Sequence, residues 1–535
     1  MDASRELTQK FDIEPFSPDV SLGEMLELET PPFHPPEIAF RQIKYVEDYI
    51  RRADLSSNTA RSVAIESHYV DRDFVFDYSV FFSRNLQPPQ SHCRRVHFFA
   101  GESDVIKSKL QEIASLVYRG GDKSKDQYHL ACKEFSRDYY LGFAVIRPLP
   151  ACPVGRTVLR LLPCENSKDN CIREMSCTRK YRVHLTGITL EICGLAFQQQ
   201  DLAVSRCATV ALWCALQKIG DCEGIASATP AEIAGLASKN RLPFGRSMPS
   251  EGLALDQLCL AIESLGLSPY LVRVESLARG RSLIHAVTRS EMPAILIMQS
   301  VETKEWHATT VIGMKLHKEH RPCLTAQSGG DDLSGDLTAL YIHDDRIGPY
   351  RRAEIDESES KQLRVKIKKQ SHVRHEDGAR EVWIVQYVLV PMHSKIRLSL
   401  NDLRTITQQW LIPKIQGVVA LRRNLAIGKL PPVQFEHWIE RGHSYAQRVL
   451  KENLLAENDA ISFCQSTVMP RYVAVTRFVS DSFGSFDVLM DTTSPRPNHK
   501  WIAIVAHIGH ESSELLHEIA EYIADLCQCS DRFFH

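Results

Sequence analysis

Gln200, Cys207, His307 and Asp344 follow one another along the chain, and together they supply the parts that a thiol nucleophile needs. Cys207 closes a polar stretch, Phe197-Gln198-Gln199-Gln200-Asp201, and opens an apolar one, Ala208-Thr209-Val210-Ala211-Leu212-Trp213. The change of pattern predicts a helix that begins at the cysteine. A helix N-terminus presents unpaired N–H groups and the positive end of the peptide dipoles, which favour a thiolate. The backbone N–H of such a cysteine, with the side-chain amide of an upstream glutamine such as Gln200, can hold an oxyanion. His307 heads the β-rich run Trp306-His307-Ala308-Thr309-Thr310-Val311-Ile312-Gly313, where a strand would hold an imidazole base rigidly. Asp344 ends the strand pattern Leu340-Tyr341-Ile342-His343-Asp344 just before a turn. Its carboxylate can orient the imidazole and stabilise the charged ring, and Asp345 beside it is the alternative third residue.

The order Gln, Cys, His, Asp on a helix followed by strands resembles the papain-like cysteine peptidase superfamily. Within it the chain is most similar to bacterial peptidases that process double-glycine leader peptides. The resemblance covers roughly residues 185–395. It implies Cys207 as nucleophile, His307 as base, Asp344 as orienting acid and Gln200 in the oxyanion hole. Gln200 lies seven residues before the cysteine where those families usually have six, and Asp201 occupies the usual spacing. The interval of 37 residues from His307 to Asp344 is long, and the polar insert Ala326–Gly335 accounts for it. The fold expected is α+β: a central papain-like two-lobed domain, with a helical lobe and an antiparallel β lobe, flanked by mixed α/β domains.

The elements that would position these groups can be read around them. Residues 1–38, rich in proline and acid, read as an irregular arm packed on its own chain. Residues 39–184 read as a mixed α/β domain. It has a helix over 39–53, strands over 74–82, 96–99 and 139–148, and a helix begun by Ser103. Residues 185–395 form the peptidase-like domain. Thr229-Pro230 opens one of its helices, Gly252–Ile262 forms another, and strands follow at 293–298 and 383–391. The alternating charges of 354–380 read as a solvated loop or edge. Residues 396–535 read as an α+β domain with strands over 470–478, 486–493 and 501–505 and a final helix over 513–527.

Other cysteines read differently. Cys214 returns to the helix face of Cys207 two turns deeper and is expected in the core. Cys164, Cys171, Cys177 and His184 lack the close ligand pairs of structural zinc sites, and His184 falls on a strand pattern, so no metal or cofactor is expected.

Composition bounds the rest. The chain is 44% hydrophobic and 24% charged, and its 64 basic and 66 acidic residues leave a net charge of −2, so no field draws it to nucleic acid or an anionic membrane. The first residues, Met-Asp-Ala-Ser-Arg-Glu-Leu, carry no apolar segment, and 15 cysteines without an export pattern fit reduced thiols in a cytoplasm. The function expected is hydrolysis of a peptide or isopeptide bond by a regulated bacterial intracellular enzyme. Its partners would be a protein or peptide substrate and a regulatory protein, with no nucleic acid and no membrane. The alternatives are acyl transfer or deamidation by the same triad, or a non-catalytic binding module on a papain-like scaffold.

Overall fold

The computed structural model describes residues 12–28, 36–51, 59–119, 122–162, 170–201, 206–239, 252–319, 330–368, 380–424, 433–481, 483–493, 501–507, 518–519 and 521–523. These residues form a mixed α/β protein built on three sheets and a hairpin, antiparallel throughout except at one pair.

The first sheet takes its strands from β1 (Ile13–Pro15) to β5 (Val154–Leu159) in sequence order. Between β1 and β2 (Ser62–Tyr69) lie α1 (Leu22–Met25) and α2 (Pro36–Ile50). Then come α3 (Arg72–Val80), β3 (Cys93–Phe99), α4 (Ser103–Arg119), α5 (Asp122–Asp138) and β4 (Tyr140–Ile146). Two expectations are corrected here. The amino-terminal stretch is not wholly irregular, because Ile13–Pro15 pairs with β2 and Ser21 caps α1 through a reciprocal bond with Glu24. The run expected as a strand over 74–82 is the helix α3. Its Asp71 side chain accepts from the N–H groups of Asp73 and Phe74 and so satisfies the helix start. That local cap outweighs the β preference of Phe, Val and Tyr.

β6 (Cys171–Glu174) leaves this unit to pair with the second sheet. β7 (Arg179–Leu185) and β8 (Ile188–Gly194) form a hairpin whose inner residues join the core beneath the first sheet. A boundary at 184/185 would therefore cut a hairpin. His184 is an outward residue of β7, exposed as the alternation predicts; Cys164 lies outside the described residues.

Three helices follow, α6 (Cys207–Glu223), α7 (Pro230–Ala237) and α8 (Leu255–Ser264). α6 is buried along its length from Ala208 to Ile219, with Trp213 at its centre. The second sheet contains β9 (Leu267–Arg273), β10 (Ile295–Ser300), β11 (Trp306–His317), β13 (Leu337–Asp344), β14 (Gly348–Asp356), β15 (Arg364–Lys368) and β16 (Arg380–His393), with α9 (Leu277–Arg289) between its first two strands. β10 pairs with both β11 and β16, so six strands close into an antiparallel barrel, and no edge is left between its first and last strands. The residues expected as a solvated loop or edge over 354–380 supply the end of β14 and all of β15, which pairs on both sides within the barrel.

The polar insert is not a simple excursion either. Its β12 (Gly330–Asp332) runs parallel to β17 (Val433–Arg441) as the first strand of the third sheet. That sheet continues through β18 (Tyr472–Ser480), β19 (Gly484–Asp491) and β20 (Trp501–Ala506). Around it lie α10 (Leu400–Ile406), α11 (Ile412–Arg423), α12 (Gly442–Lys451) and α13 (Glu457–Ser466). Of the expected final helix only 518–519 and 521–523 are described; they are helical, and Ile519 and Ile523 are buried. No helix among the described residues is long and apolar enough to cross a membrane.

Candidate active site

Three elements meet at the candidate site. Cys207 is the first residue of α6 and is half-buried. The helix is held against the barrel by Thr310 of β11, whose hydroxyl donates to the Ala211 carbonyl at 2.8 Å. On its other side Trp213 Nε1 donates to Asp73 of α3 at 3.1 Å. His307 is the second residue of β11, and Asp344 is the last of β13. The two strands pair antiparallel with Thr310 opposite His343. Carried onward, that register brings the turn after Asp344 level with His307. Gly348 makes the turn possible: its φ is +111°, and an added Cβ would lie 2.6 Å from the Tyr45 ring.

The geometry around the ring is specific. His307 Nε2 lies 3.1 Å from Asp344 Oδ1 and 3.5 Å from Asp345 Oδ1, and the Cys207 thiol stands near enough to the imidazole to favour its charged form. Burial opposes the charged ring, but the charge and hydrogen bond of Asp344, helped by the nearby Cys207 thiol, prevail and raise His307 to about 10. Asp344 is fully buried, yet the His307 and Arg346 charges hold it well below the usual carboxylate range. Asp345 behaves oppositely. Burial, reinforced by the Asp344 charge and only partly offset by His307, pushes it up to about 6, and neither of its oxygens accepts a hydrogen bond among the described residues. The two adjacent acids thus differ in role, and Asp344 is the one that orients the ring.

Two groups that the sequence reading left without a role complete the surroundings. Arg346 places Nη2 3.4 Å from Asp344 Oδ2 and 3.3 Å from Glu381, and its guanidinium lies 4.9 Å over the Trp383 ring. Trp383 in turn sits 5.7 Å from the His307 ring and donates to Glu381 at 3.1 Å. Arg346 stood in the Asp344-Asp345-Arg346 turn in plain view, but only the strand register shows that it faces the histidine.

His343 is set apart from this chemistry. Its Nε2 lies 3.1 Å from the Leu195 carbonyl, its Nδ1 accepts from the Tyr350 N–H at 3.4 Å, and burial brings it down to about 3. A neutral ring with both nitrogens engaged is a structural histidine. Cys214 is fully buried, and burial pushes its thiol far up.

Gln200 is half-buried on the segment between β8 and α6, and its amide forms no hydrogen bond among the described residues. Asp201, at the spacing where the resemblance expects glutamine, is an acid paired at 3.6 Å with Arg147.

His307, Asp344 and Asp345 present ligand atoms within 4.8 Å of one another, a donor set of the kind that binds divalent cations. Arg346, with Nε 3.3 Å from His307 Nε2, already brings a positive charge to that place. Two cavities lie away from the thiol. One of about 380 Å³ borders the C-terminal end of α6 between Lys218 and Glu223, and one of about 620 Å³ lies in the first unit beside His68 and Pro148.

Compared with models of known protein families, the chain matches none, and no curated protein matches it significantly.

Proposed function

We propose that the protein is a cysteine hydrolase of papain-like type, cleaving a peptide or isopeptide bond through Cys207, His307 and Asp344. The observation that carries this reading is the grouping of Cys207, His307 and Asp344, in which one ring lies 3.1 Å from a buried carboxylate and feels the thiol that opens α6. Further support comes from α6–α8 standing beside a closed antiparallel barrel, the arrangement of a helical and a β lobe. In this reading His307 holds the thiol proton at rest and the sulfur attacks the carbonyl carbon. The tetrahedral oxyanion is held by the Cys207 N–H and the Gln200 amide. His307 then protonates the departing amine, and water cleaves the thioester.

The test is a brief, low-dose iodoacetamide treatment with the labelled cysteine mapped by mass spectrometry. Exposure alone would favour Cys193, which is exposed where Cys207 is only half-buried. Cys207 is expected to react first, and His307→Ala to abolish that advantage. Preferential labelling of Cys193 or Cys171 in the native protein would sink the reading. With a peptide substrate, Cys207→Ala, His307→Ala and the double variant are expected to be equally inactive, because residues acting as one unit are not additive.

A further inference from the structure

The segment that leads into the nucleophile is built into the first unit of the fold. Phe197 exchanges backbone hydrogen bonds with Thr157 of β5, at 2.9 and 2.7 Å. Gln199 donates its N–H to the Val154 carbonyl at 3.0 Å, and its side-chain oxygen accepts from the Val154 N–H at 3.3 Å. Past these contacts a buried side chain reaches across the segment. Arg147, the residue after β4, donates from Nη2 to the Gln199 carbonyl at 3.1 Å and to the Cys152 carbonyl at 2.8 Å. Its Nη1 lies 3.6 Å from Asp201 Oδ2, with both side chains almost wholly buried (3% and 1% exposed).

Arg147 therefore grips the residues on either side of Gln200. A buried carboxylate is costly without a partner, and the Arg147 guanidinium supplies one to Asp201, six residues before Cys207. The planar fork also has a geometric use that a point charge lacks, because it bonds a carbonyl and faces a carboxylate at once. We infer that Arg147 is a positioning residue for the oxyanion site: it fixes the 199–201 segment so that Gln200 keeps its place relative to Cys207. On this inference, which rests on the reading of Cys207 and Gln200 above, the first α/β unit is an integral part of the active site, where the sequence suggested a flanking domain.

Two reactions of the same sulfur separate this role from general support. Acylation by p-nitrophenyl acetate transfers the acetyl group to sulfur and expels p-nitrophenolate through a tetrahedral oxyanion. Alkylation by iodoacetamide forms a carbon–sulfur bond and expels iodide with no oxyanion. Arg147→Gln is expected to slow acetylation of Cys207 by about 10- to 100-fold, in line with loss of an oxyanion donor, while alkylation changes by less than about threefold. Arg147→Lys, which keeps the charge but not the fork, should recover part of the acetylation rate. Both rates are read at Cys207 by peptide mapping. If Arg147→Gln does not fold, Asp201→Asn removes the same ion pair and should show the same split. Equal losses in both reactions, or no loss in either, would overturn the inference. A wild-type Cys207 that reacts with neither reagent faster than the other thiols would instead bring down the hydrolase reading, and this inference with it.

Discussion

Replacing Asp344 by asparagine should move the titration of His307 farther than any other single change at the site. The ring stands at about 10 against an ordinary value of 6.5, although burial, the largest influence on it, favours the neutral form. At about 1.4 kcal/mol per pH unit, that displacement corresponds to on the order of 5 kcal/mol favouring the imidazolium. Asp344 supplies the largest part through its charge and hydrogen bond, and Asp345, at 3.5 Å, supplies less. Asp344→Asn keeps the shape and removes the charge, so burial gains the upper hand and His307 should fall by about two pH units or more, or roughly 3 kcal/mol. The readout is the pH titration of the His307 ring by NMR on ¹³C-histidine-labelled protein, its signal identified by its loss in His307→Ala. Stability should follow with a definite sign. A raised folded-state pKa contributes stability that is full below 6.5 and fades as pH rises through about 10, so the deficit of Asp344→Asn should be largest below 6.5 and shrink towards 10. An unchanged His307 titration in Asp344→Asn would show that Asp344 is not its principal partner, and the assignment of the third residue would pass to Asp345.

Two further outcomes follow from the same geometry. Asp345 stands at about 6, above its ordinary 3.8, so its ionisation opposes folding as pH rises through that interval. Asp345→Asn should leave stability at pH 4 nearly unchanged and raise it at pH 8 by up to about 3 kcal/mol, and equal effects in denaturant melts at the two pH values would contradict this. Gly348→Ala combines a φ of +111° with a Cβ 2.6 Å from the Tyr45 ring. It should cost about 2 kcal/mol or more and, by displacing the Asp344–Arg346 turn, slow Cys207 alkylation; an unaltered melting temperature would show that the turn is not under that constraint.

Much of the candidate site is local and so was legible in the residues alone. A polar segment passing into an apolar helix marks the place of Cys207, because helix period and helix start are properties of a short stretch. The β-rich run after His307 and the strand that ends at Asp344 are read in the same way, as is the burial of Cys214. The misread helix at 72–80 shows where such reading stops: its β-favouring side chains spoke for a strand, and the cap made by Asp71 decided otherwise. What the tertiary structure alone decided is non-local. Closure of the barrel by the double pairing of β10, and the β11–β13 register that brings Arg346 and two acids to one imidazole, depend on hydrogen bonds between distant strands. The opposite behaviour of Asp344 and Asp345, adjacent and identical in sequence terms, comes from which of them bonds the ring and Arg346 where both are buried. The grip of Arg147 on the segment before Cys207 likewise exists only once β4 and that segment are packed together, because a buried charge selects its partner by position in space and not along the chain.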